Sequence, residues 1–335
     1  MKKYPFTFDS RVLPHTFLLF ILLLLILAYG CSEKKKTIKE DFGTTTEVIT
    51  DPLHAERIIK GEYLVNHVAV CISCHSNRDW NKLNAPAIPG TLGQGGQAFG
   101  PELHLPGIFY ARNITPYGIN RLTDDQLFKL LTTGENKEGE ILYPWMPYPR
   151  YSQMDEEDLR SMIAYLRTLV PISNDVPKRK PNSSLTLKAI PASLTKKPST
   201  TDLIAYGKYL VNIANCIDCH SNVNKKGEKL ADMQYAGGFE FPLPTGGVVR
   251  SANITPDVDT GIGSWSQESF ISRFKTYEQP ELKNVTVLSG EFNTYMPWSY
   301  LSGMTRQDLG AMYEYLKTLK PIHNQVVKFT PPKKK

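Results

Sequence analysis

The sequence predicts a mainly α, loop-rich fold made of two tandem copies of one domain. Three observations carry this expectation. The motif C-x-x-C-H occurs at 71–75 and again at 216–220, matched segments keep one order through both halves, and helical periodicity opens and closes each half around Gly- and Pro-rich stretches. "GEYLVN" (61–66) matches "GKYLVN" (207–212), "CISCHSN" matches "CIDCHSN", and "NITP" stands at 113–116 and 253–256. "YPWMPY" (143–148) matches "TYMPWS" (294–299), and "MDEEDLRSMIAYLRTLVPI" (154–172) matches "MTRQDLGAMYEYLKTLKPI" (304–322). The offset runs 146, 145, 140, 150, so the copies differ by small loop changes within one element order.

In chain order the sequence divides into a leader (1–30), a polar tether (31–55), a first copy (56–175), a basic linker (176–200), a second copy (201–325) and a basic tail (326–335). Lys2 and Lys3 precede a 13-residue apolar run, "FLLFILLLLILAY" (17–29). A membrane-spanning helix needs about 20 such residues, so the run suits a secretory leader. It closes on "LAYGC". Gly30 before Cys31, with polar "SEKKK" after it, resembles a bacterial lipoprotein signal in which Cys31 is lipidated; an uncleaved anchor is the alternative. Either way the body lies in the cell envelope, facing the periplasm and held to a membrane at its N-terminus.

With 39 basic and 33 acidic residues the net charge is +6, and 41% of the chain is hydrophobic, so disordered acidic and nucleic-acid-binding classes are excluded. The positive excess is local: residues 176–200 carry six basic side chains and no acidic one, and lack helical or strand periodicity. That segment reads as an extended, solvated linker.

Each copy begins with an amphipathic helix, "AERIIKGEYLVNHV" or "DLIAYGKYLVNIA". Each ends with another, N-capped at Asp155 or Thr305 and stopped by Pro171 or Pro321. Leu159, Met162, Ile163, Leu166 and Leu169 mark one face of the first closing helix; Leu309, Met312, Leu316 and Leu319 repeat it. First and last helices are expected to cross at Gly61 and Gly207, with Tyr165 and Tyr315 nearby. The middle of each copy is poor in apolar residues, so something else must fill it.

C-x-x-C-H answers that need as the attachment site of a c-type haem. Two thiols at this spacing each add to one vinyl group, and the following histidine lies beneath the iron. Cys71, Cys74 and His75 form one such set; Cys216, Cys219 and His220 form the other. A zinc site would need four ligands, and each copy offers two cysteines and one well-placed histidine. A redox C-x-x-C would not call for the histidine. Of five cysteines, Cys31 goes to the anchor and four to these motifs, which leaves none for a disulfide.

For the sixth ligand, three methionine pairs align. Met162 and Met312 lie on the core face of the last helix. Met154 and Met304 precede the N-caps and staple onto Leu159 and Leu309. Met146 and Met296 sit in loops, each followed by proline and flanked by aromatics, and are the candidate iron ligands. His67, His104 and His323 lack matched counterparts and read as surface or packing residues. Asn113 and Asn253 either present a backbone carbonyl to the haem histidine or act as turn residues. Trp265, matched by Leu122, is a candidate propionate donor in one half only.

With these residues in hand, both copies resemble class I cytochrome c domains. The run "GKYLVN…CIDCHS…NITPD…TGIGSWS…YMPW…YLKTLKPI" is similar to the haem domains of the cytochrome c subunits of membrane-bound alcohol, aldehyde and gluconate dehydrogenases. The resemblance covers residues 56–325. It implies two covalent haem c groups, with His75 and Met146, and His220 and Met296, as axial pairs and the four motif cysteines as thioether anchors. Those subunits generally carry three haem motifs and a C-terminal membrane anchor, whereas this chain has two motifs and an N-terminal lipid signal, so an alcohol dehydrogenase partner does not follow. The expectation is a dihaem cytochrome relaying single electrons between redox partner proteins, from a dehydrogenase or quinol-linked donor to a terminal acceptor. The rival is a dihaem enzyme of the peroxidase or thiosulfate dehydrogenase kind, which would need an open sixth position at one iron.

Overall fold

A computed structural model describes residues 52–224 and 227–333; the leader, Cys31 and most of the tether lie outside the described residues. The first helix of the described residues, α1 (Pro52–Tyr63), runs directly into a five-residue π turn, Leu64–Val68. The matched helix of the second half, α4 (Leu203–Ile213), contains no such turn. Ten residues separate Gly61 from Cys71 and nine separate Gly207 from Cys216. The π turn absorbs the extra residue, as single insertions in helices commonly do, and is the physical form of the step in offset from 146 to 145.

Helices α2 (Asp124–Thr133) and α3 (Glu156–Thr168) complete the first half; α5 (Gln267–Lys275) and α6 (Arg306–Lys317) complete the second. Their N-termini are capped by side chains, which satisfies donors the helix itself leaves orphaned. Thr123 forms a reciprocal capping box with Gln126. Asp155 accepts from Glu157 N at 2.9 Å, and Thr305 Oγ1 from Asp308 N at 3.0 Å. The predicted faces are buried: Leu159 and Leu309 at 0%, Met162 at 1% and Met312 at 2% exposure.

α1 crosses α3 and α4 crosses α6 at the two expected glycines. A Cβ on Gly61 would lie 1.8 Å from the Ser161 carbonyl oxygen, and one on Gly207 would lie 1.9 Å from that of Ala311. Tyr165 and Tyr315 supply the next contacts at each crossing.

Strands are few and short. β1 (Ala98–Phe99), β2 (Gly107–Tyr110) and β3 (Lys180–Pro181) form one antiparallel sheet in that order. β4 (Glu240–Pro242), β5 (Val248–Arg250) and β6 (Phe329–Thr330) form its counterpart. In each, the third strand comes from the segment that follows the closing helix.

Residues 176–200 are therefore extended but fastened. Beyond β3, Asn182 N donates to Pro106 O, Ile190 N to Thr133 O, Ser193 N to Ser152 O and Lys197 N to Asp155 Oδ2. Asp51–Lys335 is one compact unit. Its main core joins α1, α3, α4 and α6, and an aromatic second core joins the two sheets. Among the described residues no helix is long and apolar enough to cross a membrane.

Candidate functional site

Each C-x-x-C-H follows a residue in the left-handed region, Val70 at φ 47° and Asn215 at φ 54°, which breaks the preceding helix. One helical turn follows, closed by His75 N to Cys71 O at 3.0 Å and His220 N to Cys216 O at 2.8 Å. This turn puts both cysteines and the histidine of each motif on one short element. Among the described residues the four cysteines are free thiols.

Both histidines are buried, and each ring is held by a backbone carbonyl. His75 Nδ1 donates to Arg112 O at 2.6 Å, and His220 Nδ1 to Ala252 O at 2.7 Å. A carbonyl can only accept, so Nδ1 carries the proton and Nε2 keeps its lone pair. Burial holds both imidazoles below the usual histidine range, with the carbonyl bond partly opposing it. Each ring is thus neutral and oriented, with Nε2 free to bind.

The carbonyl comes from the residue before the asparagine of "NITP". Asn113 and Asn253 are the turn residues that hold it there. Asn113 Oδ1 accepts from Thr115 N at 3.0 Å and Thr115 Oγ1 at 2.7 Å, and its amide donates to Ile172 O at 2.8 Å. Asn253 makes the same three bonds, to Thr255 N, Thr255 Oγ1 and Ile322 O, at 2.9, 2.8 and 2.8 Å. The asparagine therefore ties the carbonyl-bearing loop to the segment just beyond the closing helix.

Two glycines that periodicity does not mark complete this support. Gly95 N donates to His75 O at 2.8 Å and Gly237 N to His220 O at 2.7 Å. Both have positive φ, and a Cβ would meet the backbone of Arg112–Asn113 at 2.5 Å or of Ala252 at 2.4 Å. Only glycine lets the motif lie this close to the loop whose carbonyl accepts from the histidine. The serines after the histidines, both 0% exposed, accept from Gly93 N and Tyr235 N at 3.1 Å. The Gly-Gly pair that follows each motif was the available sequence signal.

Burial sorts the methionines. Met154 and Met304 are 0% exposed and, with Met162 and Met312, fill the core. Met146 and Met296 are half-buried in the turns before residues 148–151 and 298–301, and both border the main core together with Cys71 and Cys216. His67 Nδ1 donates to Tyr300 O at 2.8 Å, His104 packs on Phe239 at 5.9 Å, and His323 lies exposed beside Asp257. Trp265 is 36% exposed, and its carbonyl accepts from Tyr313 at 2.7 Å.

The protein around the sulfurs desolvates them even where part of the residue faces solvent. Burial pushes the Cys71, Cys216 and Cys219 thiols up to about 12, far from the thiolate character of a nucleophilic or metal-binding cysteine.

No family model matches the chain. It is 33% identical over 250 residues to the fructose dehydrogenase cytochrome subunit of Gluconobacter japonicus, which covers 69% of this chain and 47% of that one. It is 30% identical over 286 residues to the cytochrome c subunit of the quinone alcohol dehydrogenase of Komagataeibacter europaeus, covering 78% and 56%. Its homologues are cytochrome c subunits of dehydrogenases. A dihaem c-type cytochrome of Cereibacter sphaeroides is 28% identical over 200 residues, 56% of this chain and 63% of that one. The chain spans about half the length of the first two relatives.

Cytochrome c homologues imply covalently bound haem c, and the residues present fit it. Each motif offers two protonated free thiols one helical turn apart and a buried imidazole whose tautomer leaves Nε2 available.

Proposed function

We propose that the chain is a dihaem c-type cytochrome that relays single electrons in a bacterial cell envelope. Cys71 and Cys74 anchor one haem, with His75 and Met146 as its axial ligands. Cys216 and Cys219 anchor the other, with His220 and Met296. Cys31 bears the lipid that holds the periplasm-facing body to a membrane. The observation that carries the reading is the twofold occurrence of one ligand-holding device: a buried imidazole, fixed by a carbonyl, directly behind a pair of free thiols.

Haem supplies an iron that gains and loses one electron. The chain's own residues hold the imidazoles in one tautomer and orientation, keep water from them by burial, and tie the carbonyl-bearing loop to the segment beyond the closing helix. No side chain in this arrangement needs to move a proton or attack a substrate. A thioether opposite the imidazole suits electron transfer and raises the potential. The names of the homologues favour a dehydrogenase as electron donor; a quinol-linked donor and a terminal acceptor complete the relay.

The test is expression in a host able to attach haem c, followed by intact mass and haem quantification. Two haems per chain are expected. A colourless protein, or one haem per chain, overturns the reading.

A further inference from the structure

The residue before each candidate methionine is aromatic, and each packs on a phenylalanine of its own half's sheet. Trp145 lies 6.0 Å from Phe99, and Tyr295 stacks on Phe241 at 4.9 Å. These contacts are equivalent, because Phe99 and Phe241 hold matched register positions opposite Phe109 and Val249. One ring has no counterpart. Phe239 stands where the first half has Gln97, as the matched bonds Ala111 N to Gln97 O at 2.9 Å and Ser251 N to Phe239 O at 3.1 Å establish.

Phe239 crosses between the halves. It is 4% exposed, lies 6.3 Å from Trp145 and 5.9 Å from His104 of the first half, and 4.7 Å from Phe241 of its own. The rings Trp145, Phe239, Phe241 and Tyr295 thereby form an unbroken series from the neighbour of Met146 to the neighbour of Met296. Loop residues lack a helix or strand ladder to hold them, so the side chains packed on them matter more. Trp145 itself leans on Phe99 from its own half and on Phe239 from the other, whereas Tyr295 is held by Phe241, by Trp80 of the first half at 4.6 Å and by a hydroxyl bond to Pro242 O at 3.2 Å. The support is unequal.

Resting on the axial-ligand reading above, we propose that Phe239 of the second half is a positioning residue for the sixth ligand of the first, Met146, acting through Trp145. The first-half site is then completed by the other half of the chain.

The experiment uses the full-length, haem-loaded protein and the variant Phe239→Gln, which copies the first half's residue. The readouts are the methionine–iron absorption of the ferric protein and a redox titration, with Met146→Leu marking the first-half wave. Phe239→Gln is expected to reduce the methionine–iron absorption to that of one haem and to move the first-half wave to lower potential, while the second-half wave stays. Phe239→Tyr, which restores a ring, returns both. Phe239→Leu keeps an apolar side chain, is expected to give a smaller shift of the same wave, and carries the test if the glutamine variant does not fold. Phe270→Leu removes a ring 4% exposed in the second half, away from this series, and is expected to lower thermal stability with both waves in place. A folded, two-haem Phe239 variant with both waves unmoved overturns the proposal, as does movement of the second-half wave alone. Absence of methionine–iron absorption in the wild-type protein overturns the ligand reading itself, and is distinguishable because it precedes any substitution.

Discussion

The hydroxyl of Tyr209 donates to Asp158 Oδ2 at 2.7 Å and accepts from Asp155 N at 3.1 Å, so a tyrosine of the second half caps the closing helix of the first. Its repeat partner returns the contact. Tyr63 accepts from Thr305 N at 3.1 Å and donates to Asp308 in the second half. Equivalent tyrosines are exchanged between equivalent helix ends, which gives the joint a twofold logic. Asp158 and Asp308 are 1% and 6% exposed, and Asp158 is also paired with Lys60. Carboxylates this buried persist only when hydrogen-bonded and paired. The joint between the halves is built from groups that neither half satisfies alone.

Replacing Tyr209 with phenylalanine leaves the Asp158 carboxylate and the Asp155 N–H each short of a partner. Unmade bonds to buried polar groups cost about 1–3 kcal/mol, and Tyr63→Phe is expected to cost a similar amount at the other helix. Denaturant unfolding of each variant should show the loss within a single transition, because the halves share this joint. Two separated transitions in the wild-type protein contradict the shared joint.

Alkaline pH attacks the same place. Tyr63, Tyr206 and Tyr209 are all raised above the ordinary value of 10.0, burial being the first cause, followed by Asp308 for Tyr63 and Tyr206 and by Asp158 for Tyr209. Unfolded tyrosines ionise first as pH rises, so above pH 10 the unfolded chain binds fewer protons than the folded one and stability falls with pH. The stabilisation is complete below pH 10. Tyrosinate absorbance from these three residues should therefore rise together with loss of helical circular dichroism. Their titration near pH 10 in a protein that stays folded contradicts the prediction.

Gly95 and Gly90 separate close approach from backbone conformation. Both have positive φ, 73° and 80°, but a Cβ on Gly90 meets nothing within 4 Å, whereas one on Gly95 lies 2.5 Å from Arg112 C. Gly90→Ala is expected to cost about 1 kcal/mol, the conformational part alone. Gly95→Ala adds overpacking of about 1–3 kcal/mol and displaces the carbonyl that His75 needs. Thermal melts of the two variants measure the difference. Equal losses remove the argument for a glycine-dependent approach of loop to motif.

What could be read in the sequence was whatever local pattern enforces. Helix faces, caps and proline stops follow from neighbouring residues, and the Gly61 and Gly207 crossings were marked because the glycine recurs in both copies. Of the two readings open for Asn113 and Asn253 the turn holds, and the carbonyl facing the histidine belongs to the residue before, because "NITP" shows the turn-forming asparagine and hides which backbone oxygen its turn exposes. The short sheets were missed for a related reason: strands of two to four residues are too brief for alternation to register. The docking of residues 176–200 and the tyrosine exchange arise between segments remote in sequence. Even so, the tyrosine at the same place in "GEYLVN" and "GKYLVN" was a signal of it.

Methionine substitutions give the sharpest test of the ligand set, because the three matched residues in each half differ in burial rather than in chemistry. Met162 is 1% exposed on the core face of α3, and Met154 is 0% exposed at its N-terminus. Leucine conserves their volume, so Met162→Leu and Met154→Leu are expected to cost less than about 1.5 kcal/mol and to leave the methionine–iron absorption intact. Met146 is half-buried, in a loop fixed by Pro147 and by the bond from Tyr148 N to its carbonyl at 2.8 Å. Met146→Leu is expected to leave stability nearly unchanged, to remove the absorption of one haem and to lower one potential; Met296→Leu does the same to the other. A thioether that only packs would show the reverse pattern, a loss of stability without a change in spectrum. The two signatures cannot be confused, since leucine fills a core as methionine does and offers iron no lone pair.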